Sequence, residues 1–249
     1  MKNKFIGLLA VISLILPSCN EDVCRFTDPL VGTADNGHTF PGACVPFGMV
    51  QPSPDSGNDD WKYCSGFNIA DSTLIGFSQT HLSGTGCSDL GDVLILPFST
   101  DKPERDNPYV KESLKAEPGY CCVSLCSGIK VEMTASQRVA QYRINYADNS
   151  HRRLLVDLQN GMVNSPENLD SHVYEADIEY VDNYTIQGRM VTENWVRREW
   201  YFVIKFSEAY VSRNILDKKG QEKADRLILE FADNNSPLGI KVALSTVDT

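Results

Sequence analysis

From Gly119 to the end of the chain, apolar and polar residues alternate in short runs, and this pattern limits the folds open to the sequence. Residues 129–134 (IKVEMT) alternate strictly, and so does much of 138–146. Period-two alternation is typical of strands that bury one face and expose the other. Further short runs cover residues 154–158, 173–181, 184–191, 200–206, 227–231 and 240–247. Because Asn and Asp clusters separate these runs, the sequence predicts an antiparallel all-β fold, either a sandwich or an open barrel.

The N-terminal part of the chain differs from the rest in composition. Residues 23–108 are rich in Gly, Pro, Asp, Ser and Thr and hold only short apolar pieces such as 94–96. Few stretches of the chain keep a helical period, and we predict only a turn or two of helix at 71–75 and at 216–224. Since no repeat or low-complexity linker divides the sequence, we predict one large β domain over residues 28–249.

The N-terminus has the features of an export signal. Lys2 and Lys4 precede an almost unbroken apolar run over residues 5–16, which is too short to span a bilayer as a stable helix. The run ends in Leu-Pro-Ser-Cys, which resembles the lipobox of bacterial lipoproteins. We therefore predict a lipoprotein signal peptide at 1–18, a lipidated Cys19 and an anchor or linker over 19–27, so that acyl chains hold the protein at a membrane. The alternative is an ordinary secretory signal with a chance cysteine.

The charge balance argues against nucleic acid as a partner. The formal net charge is −10 and the isoelectric point is about 4.9, with no compact basic patch along the chain. A surface this acidic repels phosphate backbones, whereas it is compatible with a neutral substrate or a bound cation.

The eight cysteines give no metal signature. If Cys19 is lipidated, seven remain, so at least one thiol cannot pair within the chain. No Cys-x-x-Cys pair is matched by a second pair or by a pair of histidines, as a structural zinc site requires. Most of the cysteines are interpreted as small buried residues or members of single bridges, and no metal site is predicted in this chain.

Several long motifs in the front segment resemble one family. They read GHTFPGA at 37–43, VPFGMVQPSPD at 45–55, W-x-x-CSGF at 61–67, IGFSQTHLSGTG at 75–86 and DLGD at 89–92. These motifs resemble the N-terminal domain of glycoside hydrolase family 92, the calcium-dependent exo-acting α-mannosidases of bacteria. The later segments SQRVAQYRINY, RLLVDLQNG and TENWVRREWYFVIKFS continue the resemblance, which covers residues 28 to 249.

The resemblance implies a large, supersandwich-like antiparallel β-sandwich that is joined in the family to a helical (α/α)₆ barrel. In the family the catalytic Glu and Asp, and most groups around the calcium ion, belong to the helical domain. This chain ends at Thr249 without a stretch like that domain. We therefore expect no catalytic residue in this chain, which leaves open whether it is itself an enzyme.

The function implied by the resemblance is the carbohydrate-pocket domain of an exo-acting, inverting α-mannosidase whose catalytic half is missing from this chain. Its partners would be mannose-containing glycans and the missing helical domain. The alternative is a surface-anchored module that binds mannose glycans without cleaving them. Either protein would be an exported lipoprotein of a Gram-negative-type bacterium, in the periplasm or on the cell surface.

Trp61 is the leading candidate for sugar contact. It lies among polar residues in a loop-like stretch, and in the family the Trp of the matching W-x-x-C-S-G motif lies at the sugar site. The resemblance extends the assignment to Cys64 and Ser65 of the same motif. The alternative for Trp61 is packing over the edge of the sandwich.

His38, His81 and Gln79 complete the predicted substrate-binding set. Each histidine lies in a turn-rich loop, where an imidazole can donate and accept hydrogen bonds at neutral pH, although either could instead be a buried hinge between loops. Gln79 stands where many relatives have His, so a role carries over to it only weakly.

Asp89 and Asp92 form the one close acidic pair inside the motifs. An inverting glycosidase needs two carboxyl groups about 6.5–9.5 Å apart, but loop aspartates more often cap turns or accept from backbone amides. Asp55, Asp59 and Asp60 are interpreted as a solvated acidic turn, with calcium-facing oxygens as the alternative.

Overall fold

The computed structural model describes residues 23–147, 151–168, 172–216 and 225–249. The predicted signal peptide at 1–18, Cys19 and most of the helical turn predicted at 216–224 lie outside these residues. Within them, no helix has the length and apolarity needed to cross a membrane.

Sixteen strands and four 3₁₀ turns make up the regular structure of the described residues. In chain order the strands are β1 Ser53–Asp55, β2 Thr73–Leu74, β3 Gly76–Ser78, β4 Leu94–Phe98, β5 Asn107–Pro108, β6 Lys115–Glu117, β7 Tyr120–Ser124, β8 Lys130–Ala135, β9 Val139–Asn145, β10 Arg152–Asp157, β11 Val173–Asp182, β12 Thr185–Glu193, β13 Arg197–Phe206, β14 Tyr210–Ile215, β15 Arg226–Phe231 and β16 Leu238–Ser245. The 3₁₀ turns are Val23–Phe26, Trp61–Tyr63, Lys111–Ser113 and Pro166–Asn168.

The strands form two main antiparallel sheets that pack face to face. One has eight strands in the order β11-β12-β13-β16-β9-β8-β7-β6, and the other has six in the order β1-β3-β4-β10-β15-β14. β2 and β5 make a separate two-stranded ribbon. The prediction of a large antiparallel β-sandwich is confirmed, and because the two sheets are separate, the open barrel does not describe the chain.

Alternation places one face of each strand of the eight-stranded sheet in the core. On β9, Ala140, Tyr142 and Ile144 point inward, while Gln141 and Arg143 are exposed. The inward residues continue across the sheet, since β16 pairs with β9 in antiparallel register and buries its own alternate residues. The alternating pattern of the sequence thus corresponds to a half-buried sheet.

The central strands of the six-stranded sheet are instead buried on both faces. On β4, Ile95 enters the main core, whereas Leu94, Leu96 and Phe98 belong to a second apolar cluster on the opposite face. Leu155 of β10 joins that second cluster. Burial on both faces explains why residues 94–96 are a continuous apolar run rather than an alternating one.

The prediction of a helical turn at 71–75 is wrong. Thr73 and Leu74 form β2, which pairs with β5 through the register Thr73↔Pro108 and Leu74↔Asn107. The pairing partner lies more than thirty residues away, and its hydrogen bonds outweigh the weak local tendency to turn.

Candidate functional site

Four segments of loop meet at one end of the sandwich. We call residues 56–66, 79–93, 158–163 and 194–196 the loop cluster. Asn194 joins three of the segments, because its side-chain amide donates to Ser88 O at 2.6 Å and to Met162 O at 2.7 Å. The fourth is joined through the backbone amide of Val163, which donates to Asn58 O at 2.8 Å. Every residue predicted to bind substrate lies in this cluster or, in the case of His38, packs against it.

Trp61 is both fixed and exposed. It begins the 3₁₀ turn Trp61–Tyr63, which Asp60 caps by accepting from the backbone N–H of Lys62 at 3.0 Å. Its indole N–H donates to Gly86 O at 2.7 Å, and the ring of His38 packs edge-on against it with 4.4 Å between centroids. Trp61 is nevertheless 48% exposed to solvent. The indole is therefore held in one orientation while much of its surface is open to solvent.

His38 is buried behind Trp61 in a strained backbone conformation. Its φ is +51°, and its carbonyl oxygen accepts from Gly84 N at 2.5 Å. Nε2 has no hydrogen-bond partner within the described part of the chain. Gly86 has a φ of +62°, which favours glycine, and a Cβ there would lie 3.2 Å from Nδ1 of His38 and 3.4 Å from the Trp61 ring, so a larger residue would have to shift both rings slightly.

Cys64 and Ser65 lie beneath the Trp61 turn and are buried. The Cys64 thiol donates to Trp61 O at 2.8 Å and lies 3.4 Å from the hydroxyl of Ser88. Burial raises the pKa of the Cys64 thiol, so it is protonated at neutral pH. The Ser65 hydroxyl has no hydrogen-bond partner among the residues the structure describes.

His81 is part of a buried ion pair. Its Nε2 is 2.7 Å from Oδ1 of Asp55 and 3.0 Å from the Ser78 hydroxyl, and its Nδ1 is 2.7 Å from Gln51 O. Because the Gln51 carbonyl only accepts, Nδ1 is the donor in that contact, and Nε2 faces the Asp55 carboxyl group. The side chains of Asp55 and His81 are both fully buried.

Gly66 brings the Trp61 turn against this ion pair. Its φ is +80°, and a Cβ there would lie 2.1 Å from Oδ1 of Asp55. Only glycine allows this close approach. The end of the Trp61 turn therefore packs directly against Asp55 in the interior of the sandwich.

Gln79 lies in the core rather than at the surface. Its amide donates to Phe77 O and Val93 O, both at 3.1 Å, and its Oε1 accepts from the hydroxyl of Tyr142 at 3.0 Å. Burial raises the pKa of Tyr142 well above its usual range, so that hydroxyl keeps its proton. Gln79 therefore fixes the path of the loop that carries His81.

Asp89 and Asp92 accept hydrogen bonds from the protein itself. Asp92 is fully buried and accepts from Thr80 Oγ1 at 2.8 Å and from the Trp200 indole at 3.0 Å. Asp89 accepts from the backbone N–H of Val196 at 3.1 Å and pairs with Arg198. Both carboxylates tie β13 and the β12–β13 turn to the loop cluster, and this geometry supports a structural role for the pair.

Backbone strain is concentrated on either side of Asp92. Leu90, Gly91 and Val93 have φ values of +67°, +82° and +55°. A left-handed conformation is a true outlier for a β-branched residue such as Val93, and such strain persists only where the surroundings enforce it. Here each of the three residues is held by a hydrogen bond of its own backbone: Leu90 O accepts from Met162 N at 2.8 Å, Gly91 N donates to Thr80 O at 2.8 Å, and Val93 O accepts from the Gln79 amide at 3.1 Å.

The structure thus separates the predicted residues into two groups. Trp61, His38 and Cys64 gather around Gly86 and Ser88, with only Trp61 exposed, while His81 and Gln79 lie in the interior and Ser65 is buried next to Gly66. Sequence reasoning missed Trp195, an indole 68% exposed on the β12–β13 turn beside Asn194. Its position within the matching segment TENWVRREW was the only available signal.

Asp55, Asp59 and Asp60 each have a partner inside the protein. Asp59 pairs with Arg105 at 3.0 Å, Asp60 caps the Trp61 turn and Asp55 is paired with His81. Within the described ranges, no group of three His, Cys, Asp or Glu side chains is arranged to hold a metal ion. These donors already have internal partners and do not converge as calcium ligands do.

Comparison with known proteins agrees with this architecture. Residues 26–245 match the model of the glycosyl hydrolase family 92 N-terminal domain. An uncharacterized secreted glycosidase of Arthroderma benhamiae is 34% identical over 189 residues, which are 66% of this chain and 24% of the fungal protein.

Solved structures share the fold over almost the whole chain. The family GH92 α-mannosidase BT3965 of Bacteroides thetaiotaomicron, solved with mannoimidazole, superimposes with a TM-score of 0.80 at 27% identity over 92% of this chain and 33% of its own. The inverting mannosidase BT2199 of the same organism gives 0.71 at 21% identity, over 90% of this chain and 31% of its own. The chain therefore spans about a third of the length of these structures and a quarter of the fungal relative.

Proposed function

The chain belongs to glycosyl hydrolase family 92, whose N-terminal domain it contains, and from this we infer that it forms one wall of the sugar pocket of an exo-acting α-mannosidase. The substrate is a glycan that ends in α-linked mannose. This inference is supported by the α-mannosidase BT3965 among the similar structures. The catalytic acid and base, and the calcium ion with its ligands, are assigned to a helical domain outside this chain.

The observation that carries the proposal is the fixed, half-exposed indole of Trp61. A sugar ring has one face of C–H bonds that packs on an aromatic surface, and an indole already held in place loses little conformational entropy on binding. The indole N–H donates to Gly86 O, which leaves the ring surface for the sugar. His38 supports the ring, and Cys64 supports the backbone of the turn.

The remaining predicted residues act behind the sugar-facing surface. Ser65 lies under the turn, and His81 and Gln79 hold the 79–93 loop in the conformation that brings Gly86 to Trp61. This chain thus binds and orients the sugar. Acid-assisted departure of the leaving sugar and base-activated attack of water are left to the other domain, with inversion at the anomeric carbon.

Export and lipidation are part of the proposal. The fungal relative is described as secreted, which supports export. The basic and apolar start of the sequence supports a signal at 1–18 with acylation of Cys19 in a Gram-negative-type bacterium. The anchor would hold the protein at a membrane facing the periplasm or the cell exterior.

The enzymatic proposal predicts mannose release only when a helical domain is supplied. The chain alone should release no mannose from α-linked mannobiose, and the two-domain protein should release it in a reaction that a calcium chelator stops. Reducing-sugar analysis measures both. Release by the chain alone would place the acid and base within it, and a two-domain protein inert on all α-linked mannosides would overturn the proposal.

Binding without hydrolysis is the second candidate, and it is favoured by one observation: the Gly86 carbonyl and the His38 ring are enough to hold the exposed Trp61 indole in place. The chain should then bind mannobiose or yeast mannan by itself, and Trp61→Ala should weaken binding at least about tenfold, which corresponds to about 1.4 kcal/mol. Titration calorimetry measures the change.

Tyr184→Ala is the matched control for Trp61→Ala. Tyr184 is 47% exposed, nearly the same as Trp61, but it precedes β12 at the end remote from the loop cluster. Its loss should leave binding unchanged. No heat with millimolar mannobiose or mannan for the unaltered chain, or equal losses for the two variants, would contradict the binding role.

A further inference from the structure

Two cysteines flank the contact that fixes Trp61. Cys64 follows the Trp61 turn, and Cys87 follows Gly86, whose carbonyl accepts the indole N–H at 2.7 Å. The turn and the 84–88 segment are therefore joined at this point by a hydrogen bond, with a thiol on each side of the junction.

The two cysteines are also close in space. The Cys64 sulfur lies 3.4 Å from Oγ of Ser88, the residue directly after Cys87. Electrostatic interaction between Cys64 and Cys87 adds to the effect of burial on the pKa of Cys64, which also indicates proximity. Cys64 is 1% exposed, and Cys87 is partly exposed. The two sulfur atoms are not bonded to each other in the structure.

We propose that Cys64 and Cys87 are oxidised to a disulfide that locks the Trp61 turn to the 84–88 segment. This proposal rests on the proposed export, because disulfides persist in oxidising compartments. The bond would close a ring over the segment 64–87 and would replace the weak S–H hydrogen bond to Trp61 O by a covalent link. It would hold the sugar-facing indole in place when solvent or ligand competes for the Gly86 carbonyl.

The oxidant is another disulfide, either that of an exported thiol–disulfide oxidoreductase or oxidised glutathione. The Cys87 thiolate, which solvent reaches, attacks one sulfur of that disulfide, and one thiol leaves. Cys64 loses its proton and attacks the mixed disulfide at the Cys87 sulfur, releasing the second thiol. Two protein thiols lose two electrons and two protons in total, and the oxidant gains them as two thiols.

The other described cysteines do not offer such a pair. Cys121 and Cys122 are neighbours on β7, where successive side chains point to opposite faces of the sheet. Cys24, Cys44 and Cys126 are exposed. Cys126 is therefore a suitable control.

Peptide mapping tests the proposal on the full-length protein incubated in a glutathione redox buffer. Cleavage before Asp60, Asp71 and Asp89 places Cys64 on peptide 60–70 and Cys87 on peptide 71–88. After free thiols are alkylated, mass spectrometry without reductant should find these peptides joined, lighter by two hydrogens than their sum. The melting temperature of the oxidised protein should exceed that of the reduced protein by about 5–10 °C.

Cysteine variants distinguish the Cys64–Cys87 disulfide from oxidation at other cysteines. Cys64→Ser and, separately, Cys87→Ala should each abolish the joined peptide and the gain in melting temperature, whereas Cys126→Ser should preserve both. Recovery of peptides 60–70 and 71–88 as separate alkylated species after oxidation would overturn the proposal. The assay contains no sugar, so its outcome is independent of whether the chain binds mannose.

Discussion

Replacing Asp92 with alanine is expected to lower the free energy of unfolding by about 3–5 kcal/mol, because a buried carboxylate that accepts several hydrogen bonds leaves each donor unpaired when it is removed. The Trp200 indole and the Thr80 hydroxyl lose their acceptor, and Thr192 loses a longer contact at 3.4 Å. Arg198, with Nε 3.8 Å from the carboxylate, loses a compensating charge. Urea denaturation followed by fluorescence measures the difference.

Asp101→Ala serves as the control for this substitution. Asp101 is fully exposed and contacts Arg153 only at 3.6 Å, so its loss should change the free energy of unfolding by no more than about 0.5 kcal/mol. If the two variants lose equal stability, Asp92 is not the centre of the network described above.

The second large effect is expected from Asp55→Asn. The substitution keeps the size of the side chain but removes the carboxylate that faces the buried ring of His81. Breaking one partner of a buried ion pair costs about 3–5 kcal/mol, since the remaining charge stays buried without compensation. The same denaturation experiment detects the loss.

A double-mutant cycle separates the ion pair from simple packing. The double variant Asp55→Asn and His81→Gln carries no buried charge at this site, so its loss should be smaller than the sum of the two single losses by at least about 1 kcal/mol. Strict additivity would show that Asp55 and His81 act independently. Asp59→Asn, which alters the half-exposed pair with Arg105, should cost less than about 1 kcal/mol.

Local pattern was enough to predict most, but not all, of the strands that follow Gly119. The run at 173–181 corresponds to β11 Val173–Asp182, because one face of that strand is apolar. β14 Tyr210–Ile215 was missed, since after its first residue it is exposed along its length and carries no alternation. Its place in the sheet comes from pairing with β15, a contact that no local pattern records.

The motif residues come together in one loop cluster, but the sequence did not show how deeply each of them is buried. The motifs could not distinguish the exposed Trp61 from the buried Gln79. A polar residue enters a core when a distant partner satisfies it, and Gln79 meets Tyr142 at a separation of 63 positions. The partners of Asp92 on β12 and β13 are about a hundred positions away, which is why the sequence shows two acidic residues but not their donors.

The burial of β4 on both faces has a consequence for the order of folding. β4 pairs with β10, which in turn pairs with β15, so strands from the first hundred residues need partners synthesised far later. During translation the apolar segment 94–98 therefore remains uncovered until β10 and β15 have left the ribosome. Such long-range pairing slows folding and leaves apolar surface exposed to aggregation. This chain is therefore expected to depend on chaperones during synthesis and export more strongly than a domain that is built from neighbouring hairpins does.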